Sequence, residues 1–343
     1  MSKKQVTIPF FIPHEGCPNC CVFCNQWRVS SASQIPDPGS IKDTIALYLS
    51  RLSRSVERVE AAFFGGSFTA IPMDEQRGYL SVIKPYLDDG VIQSIRISTR
   101  PDAINDEILD LLLQYGVETV ELGVQSFSSR VLELSGRGHS ADDVFRAMEL
   151  LKEYRFSTGI QLMPGLPGDD FNTSIRSAET VVSLGADDAR IYPVVVLKDT
   201  ALEQMYLKGE YTPLTLEEAV EVSAEIYRIY SDNNVNVIRI GLHPVDLGSG
   251  TVVAGPYHTA LGFLVKARYR RAILERLMRG QSLMRGQSSI ADAGEGITLI
   301  IPSDCAEEYI GMKKGNIDYL KDQFGLKKLK YSIRAVEKVV VEF

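Results

Sequence analysis

Long apolar runs are missing from this chain of 343 residues. None approaches the roughly 18 residues that a helix needs to cross a bilayer, so no membrane partner is expected. An excess of positive charge is missing as well. Acidic side chains number 44 against 37 basic ones, and the net charge of −7 gives no global attraction to nucleic acid. Contact with RNA or DNA would have to come from a local patch. The start, Met1-Ser2-Lys3-Lys4-Gln5, has no apolar targeting core, and a cytoplasmic protein is expected. Cysteine is scarce at five, histidine scarcer at four, and tryptophan occurs once. So few cysteines in so long a chain exclude a disulfide scaffold. What remains, 45% apolar and 24% charged, suits a soluble globular protein of one large domain or one domain with an appendage.

The scarce cysteines are concentrated. Four of the five lie in Cys17-Pro18-Asn19-Cys20-Cys21-Val22-Phe23-Cys24. A structural zinc site would use two separated pairs, and Cys305 stands alone downstream. Three close thiolates instead suit a [4Fe–4S] cluster whose fourth iron lacks a protein ligand. An open iron can bind a small molecule, which points to catalysis rather than electron storage. Two registers can be counted, Cys17-x3-Cys21-x2-Cys24 and Cys17-x2-Cys20-x3-Cys24. Phe23 fits the first, because an aromatic beside the last ligand would pack against the cluster and exclude water.

Short apolar runs alternate with amphipathic stretches along the chain. Strands are expected at 7–13, 59–65, 95–99, 119–125, 158–164, 190–196 and 236–241. Helices are expected at 40–53, 74–87, 106–114, 141–154, 172–184 and 216–230. Asn105 and Thr215 read as helix starts, and Gly90, Gly116 and Gly185 as helix ends. Such βαβα alternation means parallel strands with helical crossovers, as an open sheet or a partial barrel. After residue 275 the pattern changes. Leu277-Met278-Arg279-Gly280-Gln281-Ser282 repeats at once as Leu283-Met284-Arg285-Gly286-Gln287-Ser288, a duplicated linker or extended helix end. The expected division is a core over 1–275, a linker over 276–296 and a small α+β module over 297–343.

A second segment, Ala62-Phe63-Phe64-Gly65-Gly66-Ser67-Phe68, ends the second expected strand. Its glycines allow close backbone approach, and its carbonyls could accept hydrogen bonds from an ammonium group. Together with Cys17-x3-Cys21-x2-Phe23-Cys24 it is similar to the signature of the radical S-adenosylmethionine (radical SAM) superfamily. The resemblance implies a partial (β/α)6 barrel, with the cluster loop after the first strand and the site at the C-terminal strand ends. It implies Cys17, Cys21 and Cys24 as ligands of a [4Fe–4S] cluster. It also implies SAM on the open iron, an electron donor such as ferredoxin or flavodoxin, and a 5′-deoxyadenosyl radical as product.

Later strand ends extend the likeness. Thr99-Arg100-Pro101-Asp102, Glu121-Leu122-Gly123-Val124-Gln125-Ser126, Arg137-Gly138-His139 and Gln161-Leu162-Met163-Pro164-Gly165 resemble the branch holding the catalytic subunit of Elongator and the oxygen-independent coproporphyrinogen oxidases. The resemblance covers roughly residues 7–260. It implies that Gly65, Gly66 and Ser67 hold the SAM amino group, with Ser67 where many members carry Glu. Arg137 would pair with the methionine carboxylate, Gln125 with the ribose or carboxylate, and Gln161 with the ribose, where the coproporphyrinogen branch has Asp. Ser98 stands at a place often held by Glu. His243, Tyr257 and His258, in loops near the expected barrel mouth, are candidate catalytic residues for substrate binding, proton movement or radical shielding.

Tail residues 310–317 partly resemble the Gly-x-x-Gly loop of KH modules, which clamps nucleic-acid backbone. With Lys313, Lys314, Lys321, Lys327, Lys328 and Lys330 the tail is locally basic, so tRNA is the expected partner. The Elongator subunit acts on tRNA wobble uridine with an added acetyltransferase domain. The tail after residue 290 is too short for one, and that route is not expected. RNA modification is the expected function. Oxidation of a porphyrin or another small metabolite, and a non-enzymatic iron–sulfur protein, are the alternatives.

Overall fold

The computed structural model describes residues 5–18, 21–30, 34–53, 55–243, 250–284 and 297–342. The chain divides into two compact units. One comprises Met1–Ala219 and Ile229–Tyr257, the other Val220–Arg228 and His258–Phe343.

The first unit is built on a seven-stranded, all-parallel half-barrel sheet. Its strands are β1 (Gln5–Phe11), β2 (Arg58–Phe64), β3 (Ser94–Thr99), β4 (Val117–Gln125), β5 (Ser157–Leu162), β6 (Asp188–Ile191) and β8 (Asn236–Ile240), in that spatial order. Helices make the crossovers: α1 (Gln26–Ser30) and α2 (Pro38–Ser50), α3 (Met73–Asp88), α4 (Asp106–Gln114), α5 (Ser129–Leu134) with α6 (Ala141–Glu153), and α7 (Phe171–Ser183). Two more, α8 (Ala201–Leu207) and α9 (Leu216–Asp232), lie between β6 and β8. Parallel strands need such long crossovers, which is why the period switches so regularly along the sequence.

The helix starts follow local chemistry. The Asn105 side chain accepts from Ile108 N at the start of α4. Thr215 and Glu218 form a reciprocal capping box at the start of α9. The apolar stripe of α4 buries Leu109, Leu111 and Leu112, and that of α6 buries Val144, Ala147, Met148 and Leu151. Burying one such Leu or Met stabilises the fold by roughly 1.5–3 kcal/mol.

One expected strand is divided. Residues 190–196 do not run as a single element: β6 stops at Ile191, and β7 (Val196–Leu197) pairs antiparallel with β9 (Val252–Ala254) in a separate small sheet. Pro193 interrupts the run because it has no N–H to give the ladder, and Val194 N turns to the Pro164 carbonyl at 2.9 Å.

In the second unit α10 (Leu261–Met284) runs through the first copy of the hexapeptide repeat. The second copy passes beyond the described residues. The unit's sheet places β10 (Ile297–Pro302) between parallel β11 (Leu329–Arg334) and antiparallel β12 (Val340–Glu342). Between β10 and β11 lie α11 (Ala306–Ile310) and α12 (Gly315–Phe324). Leu274 and Met278 of α10 share one core with Ile297, Leu299, Ile301, Ile317 and Leu320, so α10 packs in the same compact unit as residues 297–342. Among the described residues no helix is long and apolar enough to cross a membrane.

Candidate active site

The C-terminal ends of the strands in the first unit surround one cavity of about 300 Å³. The loop after β1 brings Cys17, Cys21 and Cys24 to one side of it, and Gly65, Gly66 and Ser67 follow directly from β2. The loop is held by its own turns: Cys17 N donates to the His14 carbonyl at 3.2 Å and Cys24 N to the Cys21 carbonyl at 3.0 Å. Cys20 lies outside the described residues.

Gln26 ties this loop to the glycine turn. Its Oε1 accepts from His14 N at 2.6 Å and from Gly66 N at 2.7 Å, while Gln26 N donates to His14 Nε2 at 3.1 Å. Gly66 has φ +42, and a Cβ there would sit 2.4 Å from the Glu15 carbonyl oxygen and 2.7 Å from that of Ile12. The close approach that the sequence places at these glycines is therefore made first to the cysteine loop. Ser67 N donates to the Glu15 carbonyl at 2.7 Å, and Ser67 Oγ lies 3.8 Å from Cys17 Sγ.

Phe23 is 8% exposed and packs in an apolar cluster with Val131, Leu166, Val194, Val196, Leu202 and Tyr211. Cys21 and Cys24 lean on the same cluster. Burial, and next the neighbouring Cys21 and Cys17, push the Cys24 thiol up to about 12. Burial also raises Cys17. Arg137 reaches over from the loop after α5, donating from Nη1 to Cys21 Sγ at 3.2 Å and from Nη2 to the Gly123 carbonyl.

Gln125 closes β4 with φ +73, at a break in the β4–β5 register. Its Oε1 accepts from Gln161 Nε2 at 3.1 Å, so the two amides face the cavity as a pair. Ser98 Oγ donates to Glu121 Oε2 at 3.4 Å. His243, just past β8, lines the opposite side, where burial and then Arg239 and Arg190 push its imidazole down to about 4. Tyr257 and His258 are not among the lining residues. His258 belongs to the second unit and accepts at Nδ1 from Ala260 N, 3.0 Å away, at the start of α10.

Sequence reasoning assigned no role to the floor of the cavity. Glu121 accepts from Arg190 Nε and Nη2 at 2.8 and 2.9 Å and from Arg96 Nη1 at 2.6 Å. Arg96 also donates to Glu60 at 3.2 Å and to Asp188 at 3.0 Å. Burial alone would raise Glu121, but Arg190 and Arg96 together hold its carboxyl below the usual range. The available signal was charge inside strands: a parallel strand buried on both faces reads as a near-continuous apolar run, and each of these residues breaks one.

The fold and this site define a class, and comparison with known proteins agrees. The profile of the Radical SAM superfamily matches residues 11–181, and that of the Radical_SAM C-terminal domain matches residues 186–271. The chain belongs to the radical SAM superfamily and is an enzyme of it. Within the superfamily it is similar to a tRNA uridine(34) acetyltransferase of Methanocaldococcus jannaschii, with 30% identity over 197 residues covering 51% of this chain and 36% of the relative. Human Elongator complex protein 3 is 26% identical over 247 residues, covering 61% of this chain and 45% of the relative. The chain thus spans well under two thirds of the length of these relatives. The structure of archaeal Methanocaldococcus infernus Elp3 superposes with a TM-score of 0.61 at 22% identity, covering 79% of this chain and 64% of that one.

Proposed function

We propose that this enzyme holds a [4Fe–4S] cluster on Cys17, Cys21 and Cys24, uses it to cleave SAM, and acts on a uridine of tRNA. The donor set fits. Cys17, Cys21 and Cys24 all line the cavity, and three thiolates are the protein ligands that a [4Fe–4S] cluster with one open iron needs. A cluster held by those three thiolates, with SAM beside it and an electron from an external donor, would supply the reductive radical chemistry that removes a hydrogen atom from the substrate.

The chain's own residues bind and orient. Carbonyls of the Gly65–Ser67 turn face the SAM ammonium. Arg137, whose partners among the described residues are a thiol and a carbonyl, has the planar fork that suits the methionine carboxylate. The Gln125–Gln161 pair faces the ribose. Phe23 and its cluster keep water from the thiolate side, as radical chemistry requires.

The single observation that carries the radical SAM part is the convergence of the three thiols, the glycine turn and Arg137 on one cavity. The tRNA part rests on relatives named for tRNA uridine(34) acetylation and for Elongator. Lys313 and Lys314, exposed between α11 and α12, offer a local basic contact for RNA. Anaerobic reconstitution is expected to give about four irons per chain, and 5′-deoxyadenosine should form from SAM with an added low-potential electron donor. Cys21→Ala should abolish both and Cys20→Ala neither; the reverse would move the ligand register. Loss of a wobble-uridine modification in cells lacking the protein would support the substrate, and unchanged tRNA nucleosides would refute it.

A further inference from the structure

The ionic groups of the barrel floor are satisfied unevenly. Arg96 faces three carboxylates, and Arg190 is held by both oxygens of Glu121. Arg239 is different. The β6–β8 register sets it directly beside Arg190, so both side chains emerge on the same face of the sheet. Its Nε donates to the Gly241 carbonyl at 3.0 Å, which keeps the guanidinium at the C-terminal end of β8. Among the described residues no carboxylate pairs with it. Burial disfavours its cation most; the Tyr192 hydroxyl oxygen acts the other way, and the Arg190 charge adds a smaller push in the same direction as burial. A half-buried guanidinium with no described carboxylate partner, beside a second arginine, is in a setting that an anion would stabilise.

Two neutral donors stand beside it. Tyr192 accepts from Arg190 Nη1 at 3.2 Å, which leaves its own O–H free to donate elsewhere. His243 lines the cavity and feels both Arg239 and Arg190. A neutral imidazole has one N–H to give. A guanidinium fork, a phenol and an imidazole stand here with donors that no described acceptor takes up.

We propose that Tyr192 and His243, which line the β6–β8 end of the cavity, form with Arg239 just behind that lining an anion site that holds a phosphate of the substrate nucleotide. In the sheet β8 is the edge strand farthest from β1, whose loop carries the cysteines. The proposal rests on the reading of the substrate as RNA.

The test uses the anaerobically reconstituted protein with SAM, and compares the binding of uridine 5′-monophosphate, uridine and succinate by equilibrium dialysis. The monophosphate is expected to bind about tenfold to a hundredfold more tightly than uridine, as a charge-assisted contact gives. Arg239→Gln should bring that ratio close to one, and Arg239→Lys should keep part of it. Thermal unfolding supplies the readout that a merely structural role would move the other way: Arg239→Gln, relieved of an uncompensated charge, should melt no lower than the wild type. Equal binding of monophosphate and uridine, no measurable binding of the monophosphate at millimolar concentration, or a ratio unchanged by Arg239→Gln would each overturn the site. Succinate bound in its place through Arg239 would overturn the phosphate assignment. The tRNA reading is tested apart from this, by the nucleosides of cells lacking the protein, so either can fail alone.

Discussion

Glu121→Gln tests whether the barrel floor is an ion network or a set of incidental contacts. The change removes the carboxylate that both floor arginines share. Arg96 keeps Glu60 at 3.2 Å and Asp188 at 3.0 Å. Arg190 keeps only the Tyr192 hydroxyl and the face of Phe64, 5.1 Å from its ring centre. Its side chain is 14% exposed and that of Glu121 6%, so water screens the stranded cation little. Breaking a buried pair from one side costs about 3–5 kcal/mol, and glutamine's remaining carbonyl acceptor places the effect near the lower end. A unit of this size should then melt roughly 6–12 °C lower. The assay is denaturation of the cluster-free protein followed by fluorescence of Trp27, the single tryptophan, which lies in α1 of the first unit. The folded carboxyl titrates below the ordinary glutamate value of about 4.3, so its stabilisation is present above that pH and is lost as pH falls through the folded value. The gap between wild type and variant should therefore be full at neutral pH and close on acidification. Adding Arg190→Met removes the stranded cation and should recover most of the loss. A loss below about 1 kcal/mol, or one that does not shrink in acid, would refute the network.

Three further outcomes follow from the geometry. Gly66→Ala forces a Cβ to 2.4 Å from the Glu15 carbonyl at φ +42, and should destabilise by at least about 1–2 kcal/mol in denaturant titration. Gly78→Ala, in exposed α3 with nothing within 4 Å of the new methyl, should stabilise by roughly 0.5–1 kcal/mol as its control. Gln26→Ala unties the cysteine loop from the glycine turn. Iron bound per chain after reconstitution should fall well below wild type, while the half-exposed hydrogen bonds lost change stability by only about 1–2 kcal/mol. His243, held down to about 4, should stay neutral in an NMR titration until pH approaches that value, and Arg239→Gln should raise it. Because its folded value lies below the unfolded one of about 6.5, protonation favours the unfolded chain, and stability should decline as pH falls from there towards 4.

Much of this was legible because it is written in local chemistry. The crossovers show as a switch between periods of two and 3.6, and the starts of α4 and α9 as Asn105 and Thr215, whose side chains cap within three residues. The cysteine loop and the Gly65–Ser67 turn are short contiguous motifs. What was not legible depends on distance in sequence. Glu121 meets Arg190 across 69 residues and Arg96 meets Asp188 across 92, and no local pattern joins them. The strand over 190–196 was misjudged because an apolar run hides what Pro193 does to a ladder. Tyr257 and His258 were expected near the mouth from loop position and family likeness, and neither is among the residues that line the cavity.

The two sides of the cavity are held by different kinds of force, and this bears on how substrate choice could change. The cysteine side is fixed largely at backbone groups: His14 N and Gly66 N, both held by the Gln26 side chain, the Glu15 carbonyl with Ser67 N, and a turn at Gly66 that admits no Cβ. Its geometry tolerates little substitution, as a shared SAM chemistry demands. The β6–β8 side is fixed by side chains. There Arg190 is locked by Glu121, whereas Arg239, Tyr192 and His243 have donors left over. Exchanging those three alters what the site binds while leaving the sheet ladder and the cysteine loop untouched. Specificity can therefore diverge at β6–β8 without disturbing the chemistry opposite. Arg239→Gln should change affinity for phosphorylated ligands while leaving the iron content after reconstitution unchanged. If that substitution lowers iron binding as well, the two sides are coupled and the separation is wrong.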